Sequence, residues 1–243
     1  MTDMWEKEAP DAQKTLSRVI QYSISEEEAR LLDKHLSYVL EQNKRINLTS
    51  IENRERAMIL HIEDSLVALP EIMRSPQGRM ADLGSGGGFP GIPLAIVTKR
   101  ETTLVEATKK KAALLSVFIQ ENSLQDRICV EAVRIEELAR RQRGQYAVVT
   151  ARALAPLPVL LELATPLLCM GGALVAYKAG QVEEEAKVAN KLKNMLGMEF
   201  VGKRELVLSD GMTKREIMVY QKFAEAERDL PRRNGQAQHR PLI

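Results

Sequence analysis

The residues able to do chemistry fall in a few short stretches. In MADLGSGGGFPGIPLAI, Met80 to Ile96, four glycines lie between Gly84 and Gly88. Asp82 precedes them, and Pro90 and Pro93 follow. Glycine reaches positive φ and lets a ligand touch bare backbone. The run therefore reads as a turn that holds a pyrophosphate, a nucleoside or only itself. The two prolines supply no N–H in a first helical turn, which weakens an anion cradle there. No Lys-Ser or Lys-Thr pair follows, so the P-loop reading fails. The spacing Gly86-x-Gly88-x-x-Gly91 fits a dinucleotide fingerprint. Asp82 would repel a pyrophosphate and favour the cationic amino-acid end of S-adenosylmethionine, directly or through water. Glu106, about 20 residues on, can accept from both ribose hydroxyls of either NAD or S-adenosylmethionine. Glu136 stands where a carboxylate takes an adenine amino group, or else lies on a helix surface.

Other chemistries find little support. His35, His61 and His239 are far apart in sequence, so no metal-ligand cluster is expected. Cys129 and Cys169 sit in apolar contexts and read as reduced, buried thiols. The net charge is +2, from 35 basic and 33 acidic residues, but the basic ones bunch at Lys109–Lys111, Arg140–Arg143, Lys203–Arg204, Lys214–Arg215 and Arg232–Arg233. Each run fits a solvated face or a phosphate-tracking patch. Phe89, Tyr146 and Tyr177 lie near predicted strand ends, where they pack in the core or stack a base. His61 and Asp64 read as packing and surface positions; the other reading has HIEDSL lining the entrance over a ligand. The acidic MTDMWEKEAPDAQK has no apolar core of a secretory signal. LLELATPLLCMGGALVAY is interrupted by Glu162, Pro166 and two glycines, so no membrane span is expected. A cytoplasmic protein is the expectation.

The elements that must position these residues follow from periodicity. Ser25 and Glu28 form a capping-box pattern, and Leu31, Leu32, His35, Leu36, Val39 and Leu40 recur at helical spacing after it. A second helix is predicted over about 55–73. After Gly78, β-prone runs alternate with helical ones through five β-α units, and RELVL and EIMVYQK close the chain as a hairpin across Asp210-Gly211. This pattern predicts an α/β fold of the class I S-adenosylmethionine-dependent methyltransferase type. The sheet is Rossmann-like, seven-stranded and mostly parallel with the last strand antiparallel, under an N-terminal helical cap. The expected division is a helical region over 1–77, a methyltransferase core over 78–223 and a tail over 224–243. The tail lacks periodicity and is expected to be disordered.

These motifs together resemble the RsmG (GidB) family of small-subunit ribosomal RNA N7-guanine methyltransferases. DLGSGGGFPGIPLAI looks like its motif I. NKRINLTSI, HIEDSL, LVEATKKKAALL, VRIEELA, VVTARALAPL and GGALVAYKA follow in the family's order, from about Ser25 to Lys222. The resemblance implies S-adenosyl-L-methionine as cofactor, with Asp82, Gly84, Gly86 and Phe89 at the glycine turn and Glu106 on the ribose. Ile135 and Glu136 would meet the adenine, and Arg152 the methyl-donating end. Lys110, Arg134, Lys178 and Arg215 fall on basic positions expected to bind RNA. Gly87 stands where alanine or proline is common, and Glu106 where aspartate is frequent. The implied target is guanine 527 of 16S ribosomal RNA in the small subunit, modified by a monomer. N7 carries a lone pair and no proton, so no general base is needed and positioning dominates. Arg152 would then act by positioning, on O6, a phosphate or the methionine carboxylate, since a direct bond to N7 would block attack. An NAD-dependent oxidoreductase and a non-catalytic RNA-binding protein of the same fold remain the alternatives.

Overall fold

The computed structural model describes residues 22–180 and 182–242, so the acidic N-terminal stretch lies outside the described residues. Helix α1 spans Glu26–Asn43 and opens on the expected capping box: Ser25 Oγ accepts from Glu28 N, and the Glu28 carboxylate accepts from Ser25 N. Its first-turn acids, Glu26 to Glu28, complement the positive end of the helix dipole. The helix expected over 55–73 is two. The first, α2, runs over 54–66 and is made of Arg54–Ala57, a π-helical stretch Met58–Glu63 and Asp64–Leu66. Asn53 caps it by accepting from Arg56 N at 2.8 Å. The second, α3, is Leu69–Arg74 with Pro70 in its first turn. A proline has no N–H for the preceding turn, so the chain restarts rather than continues.

Strands β1 (Met80–Leu83), β2 (Thr102–Val105), β3 (Ile128–Glu131), β4 (Tyr146–Arg152) and β5 (Leu168–Lys178) alternate with helices α4 (Gly91–Thr98), α5 (Lys109–Glu121), α6 (Ile135–Arg141), α7 (Leu157–Ala164) and α8 (Glu183–Lys191). A short α9 (Lys193–Leu196) precedes β6 (Met198–Val207) and β7 (Lys214–Lys222). The sheet order is β3-β2-β1-β4-β5-β7-β6, and β7 pairs antiparallel with both β5 and β6. The lone antiparallel strand is thus inserted beside β5. Short β-α loops force parallel pairing, whereas the Asp210-Gly211 loop returns the chain directly.

The two-residue period of a strand divides the core into two layers. Met80, Leu104, Val148 and Val175 face a cluster built with α1 to α5. Ala81, Val105, Val149 and Leu174 face a second cluster built with α6 to α9. The N-terminal helices therefore share one core with α4 and α5, and the boundary expected at residue 77 separates no packing unit. The tail corrects the sequence expectation. Leu230, Ala237 and Leu242 are buried in the second cluster, and α10 (Gln236–His239) packs there. Three isolated apolar residues have no period to detect, yet each finds a slot. The cysteines also differ: both are free thiols, Cys129 is exposed and Cys169 half-buried. Cys129 lies on the edge strand β3, its Sγ 3.3 Å from the Thr103 hydroxyl, an exposure that an apolar neighbourhood in sequence does not reveal.

Candidate active site

The carboxyl ends of β1, β2, β4 and β5 form one edge of the sheet. Chain order reverses between β1 and β4 there, opening the crevice where doubly wound sheets take ligands. The glycine run turns at this edge. Gly84, Gly86 and Gly88 have φ of 70°, 56° and 90°. Gly84 and Gly86 are half-buried, while Gly87 and Gly88 are buried. A Cβ at Gly86 would come no nearer than 3.9 Å to its closest neighbour, whereas one at Gly88 would strike Ile92 Cδ1 at 2.7 Å and His35 Nε2 at 2.9 Å. Gly88 serves packing; Gly86 keeps an open face. His35, wholly buried on α1, donates from Nε2 to the Gly87 carbonyl at 2.9 Å.

The three acids expected at the cofactor have distinct fates. Asp82 does not reach the crevice: it is 0% exposed. Its carboxylate accepts from Gly91 N at 3.2 Å and from the Thr150 hydroxyl at 2.9 Å. Burial raises its pKa. Asp82 thus ties β1 to β4 and occupies an N–H at the start of α4. That bond, too, leaves the turn poorly suited to phosphate. Glu106 stands at the edge as expected, accepting from Gly86 N at 2.9 Å and from Thr108 N at 2.7 Å. It fixes the glycine turn and its own loop together. The Glu136 carboxylate is committed elsewhere: it accepts from Gly235 N of the tail at 2.6 Å and is 6% exposed. Ile135, beside it, is half-buried at the start of α6.

Arg152 lies at the centre of a polar cluster that the sequence did not reveal. Its Nη1 donates to Asp64 Oδ2 at 3.0 Å and to the Leu60 carbonyl at 3.2 Å. Arg215 reaches the same carboxylate from β7, with Nε on Oδ1 at 2.8 Å and Nη2 on Oδ2 at 3.2 Å. Asp64 is 1% exposed and His61 8%, so both are packed positions and neither lies on the surface. The π-helical stretch before it widens the turn that presents His61 and the Leu60 carbonyl. These groups line a cavity of about 670 Å³ with Tyr177, Lys178 and Glu185. Ala153, also in its wall, has φ of 53°, a left-handed strain of the kind found at functional sites. Phe89 is sandwiched rather than free. His61 stacks on it at 4.6 Å between centroids, His35 lies tilted at 4.5 Å, and the Arg152 guanidinium sits 5.6 Å above its ring. Burial and the nearby Arg152 charge push the His61 pKa down to about 4.

Of the basic residues expected on RNA, Lys110 and Arg134 are exposed at the amino ends of α5 and α6. Lys178 and Arg215 are held inside. Lys178 pairs with Glu185 at 2.6 Å, and both belong to the cavity rather than to the outer surface. The aromatics beyond Phe89 are core residues. Tyr146 begins β4, at the far edge, and donates to the Thr103 hydroxyl at 3.1 Å. Tyr177 donates to the Ser65 carbonyl at 2.6 Å. A run such as HIEDS, polar yet flanked by apolar residues in one helix, is the signal that marks Asp64; only the fold brings it to Arg152 and Arg215.

Comparison with known proteins gives the family. A family model for rRNA small subunit methyltransferase G matches residues 28–236. A ribosomal RNA small subunit methyltransferase G from Desulfitobacterium hafniense is 34% identical over 241 residues, covering 96% of this chain and 99% of that one. Its namesake from Chloroflexus aggregans is 38% identical over 222 residues, covering 90% and 92%. Among solved structures, a geranyl diphosphate methyltransferase in complex with GPP and sinefungin superposes with a TM-score of 0.50 at 11% identity, covering 65% of this chain and 78% of that one. The [4+2]-cyclase SpnF gives 0.53 at 13%, covering 67% and 81%. Likeness at that level shows the fold alone, and a cyclase on the same fold underlines that fold does not set chemistry. Sequence identity along nearly the whole chain does: the protein belongs to the GidB family, rRNA small subunit methyltransferase G, and is a methyltransferase of ribosomal RNA.

Proposed function

We propose that this chain transfers the methyl group of S-adenosylmethionine to N7 of a guanine of 16S ribosomal RNA, the one at position 527 that its family resemblance implies. The glycine turn fits the cofactor. Gly86 offers bare backbone with room beside it, and Glu106 is held at the end of β2. In this reading Gly84, Gly86 and Glu106 hold the nucleoside, Ile135 and Glu136 border its adenine, and Phe89 backs the turn. Asp82 acts from behind, by fixing Gly91. Bound S-adenosylmethionine supplies an electrophilic methyl group on a sulfonium.

The observation that carries the choice of N7 is the state of the cavity's proton acceptors. Asp64 is bound by two guanidiniums, and Glu185 by Lys178 and the Leu157 N–H at 2.9 Å. Burial pushes the Tyr177 phenol pKa well above its ordinary value, so it stays protonated. His61 is neutral, with a pKa near 4, and a base that weak is a poor proton acceptor at neutral pH. A cavity with no competent base among the described residues suits a nucleophile that has no proton to lose. Arg152 keeps Nε and Nη2 for O6, a phosphate or the methionine carboxylate while Asp64 fixes its third nitrogen. Its part is orientation of the reacting pair. Lys110 and Arg134, both exposed, would meet RNA phosphates outside. Titration calorimetry with S-adenosylmethionine and with NAD separates this reading from the oxidoreductase; binding of NAD alone would overturn it. Methyl transfer to 16S RNA separates it from a non-catalytic RNA-binding protein.

A further inference from the structure

The C-terminal segment makes a dense set of contacts that the transfer chemistry does not use. Arg232 lies parallel to Glu162 of α7, with Nε on Oε1 and Nη2 on Oε2, both at 2.6 Å, and the two side chains are 9% and 2% exposed. Arg143 donates twice to the Leu230 carbonyl, at 2.8 and 2.7 Å. Arg140, from the last turn of α6, donates to Asn234 Oδ1 and to the Arg232 carbonyl, each at 2.9 Å. At the other end of the same helix, Asn234 Nδ2 donates to Glu137 at 2.6 Å and Gly235 N to Glu136 at 2.6 Å. The segment is therefore fastened to α7 by a buried bidentate pair and to α6 at both of its ends. Helix α6 has only seven residues and no side-chain cap at its amino end, so it has little stability of its own.

We propose that residues 224–242 are a strap that sets the adenine side of the cofactor site. Arg232 and Gly235 are positioning residues: Arg232 anchors the strap on Glu162 of α7, and Gly235 acts through Glu136 on the first turn of α6. The inference rests on the proposed placement of Ile135 and Glu136 beside the adenine, and it refines that placement. The Glu136 carboxylate is spent on the strap, and the adenine is met by the backbone and apolar side chain of the turn the strap holds.

The test uses the full chain and compares wild type, R232A, E136A, the double variant R232A/E136A and the charge swap E162R/R232E. Cofactor affinity is read by calorimetry with S-adenosylmethionine, well below each variant's melting temperature. Initial rates give KM for cofactor and for 16S RNA separately. R232A is expected to weaken cofactor binding about tenfold and to raise the cofactor KM in step. Its kcat at saturating cofactor and its RNA KM should stay within about twofold. E136A should weaken binding similarly, and the double variant should be no worse than either single one, because both cut the same strap. The charge swap should recover part of the affinity. Lower melting temperatures with unchanged cofactor affinity would reduce the strap to a structural brace and overturn the inference. Additive losses in the double variant would return the Glu136 carboxylate to the adenine and overturn it as well. A wild-type chain that binds no S-adenosylmethionine would instead overturn the proposed function, and the strap's role with it.

Discussion

At the scale of single residues, the site is a set of side chains that immobilise one another. Asp64 is the hub, because two guanidiniums converge on one buried carboxylate. Removing one partner of such a group leaves charge without compensation and costs about 3 kcal/mol or more. Asp64→Ala should accordingly lower the stability measured by denaturant titration by roughly that amount. Arg152→Ala should reduce kcat/KM by roughly ten- to a hundredfold, the loss of one charge-assisted contact. An Arg152→Ala enzyme with full methyl transfer would remove Arg152 from the mechanism. The glycines allow a sharper comparison. Gly88→Ala should cost roughly 2–3 kcal/mol of folding stability, since its Cβ meets packed atoms. Gly86→Ala should cost only about 1 kcal/mol for its left-handed backbone, yet weaken cofactor binding more than tenfold if a ligand lies on that open face. Equal losses of cofactor affinity in the two variants, each measured folded, would contradict that assignment. The placement of Gly86, Glu106 and Arg152 at the carboxyl edge of the sheet was legible because each ends or closely follows a strand. Asp82 misled for a geometric reason: its carboxylate turns back to Gly91, nine residues on, and no spacing rule shows a side chain's direction. The bond from Gly235 to Glu136 was not legible, because the two residues are 99 positions apart.

At the scale of elements, α1 is more than a cover. It sends His35 into the glycine turn, and α2 lays His61 flat on Phe89. Burial pushes the pKa of His35 down to about 3, and that of His61 down to about 4. The sign of the consequence is fixed. Below about pH 6.5 the unfolded chain binds protons at both histidines and the folded chain does not, so stability is full above that pH and falls as pH drops toward 4 and then 3. Asp82 and Glu63, whose pKa values burial raises, work in the opposite direction and soften the fall. Urea titrations between pH 7 and 4.5 should show the midpoint declining, and His35→Phe should flatten the decline by removing one titrating group. An unchanged slope in His35→Phe would show that His35 is not protonated on unfolding in that range. The order of strands and helices was readable because short β-prone runs alternate with helical ones after Gly78. The break at Val67–Ala68 was readable in principle from Pro70, but the apolar face of 55–73 runs through it. The π-helical stretch over Met58–Glu63 was not.

At the scale of the whole molecule, a net charge of +2 hides an uneven field. Lys110 and Arg134 face outward at the ligand edge, while Lys178 and Arg215 are consumed by internal pairs. RNA affinity should therefore fall steeply with salt. Lys110→Ala and Arg134→Ala should each lower the slope of log K against log salt by about 0.7 to 0.9, whereas Arg215→Ala should lower activity and leave the slope unchanged. A slope insensitive to Lys110 and Arg134 would place the RNA on another face. The tail is the part of the molecule least legible from sequence. It has no repeat, and its order comes from Arg232 meeting Glu162 and from three scattered apolar side chains. The central claim is a reaction, and one measurement tests it most directly. The chain is incubated with S-adenosylmethionine carrying a labelled methyl group and with small subunits or 16S RNA lacking the modification, and the labelled nucleoside is identified and mapped. A single N7-methylguanosine at one position of 16S RNA is the expected result. A methyl group on another atom or another RNA, or no transfer by a chain that binds the cofactor, would contradict the account.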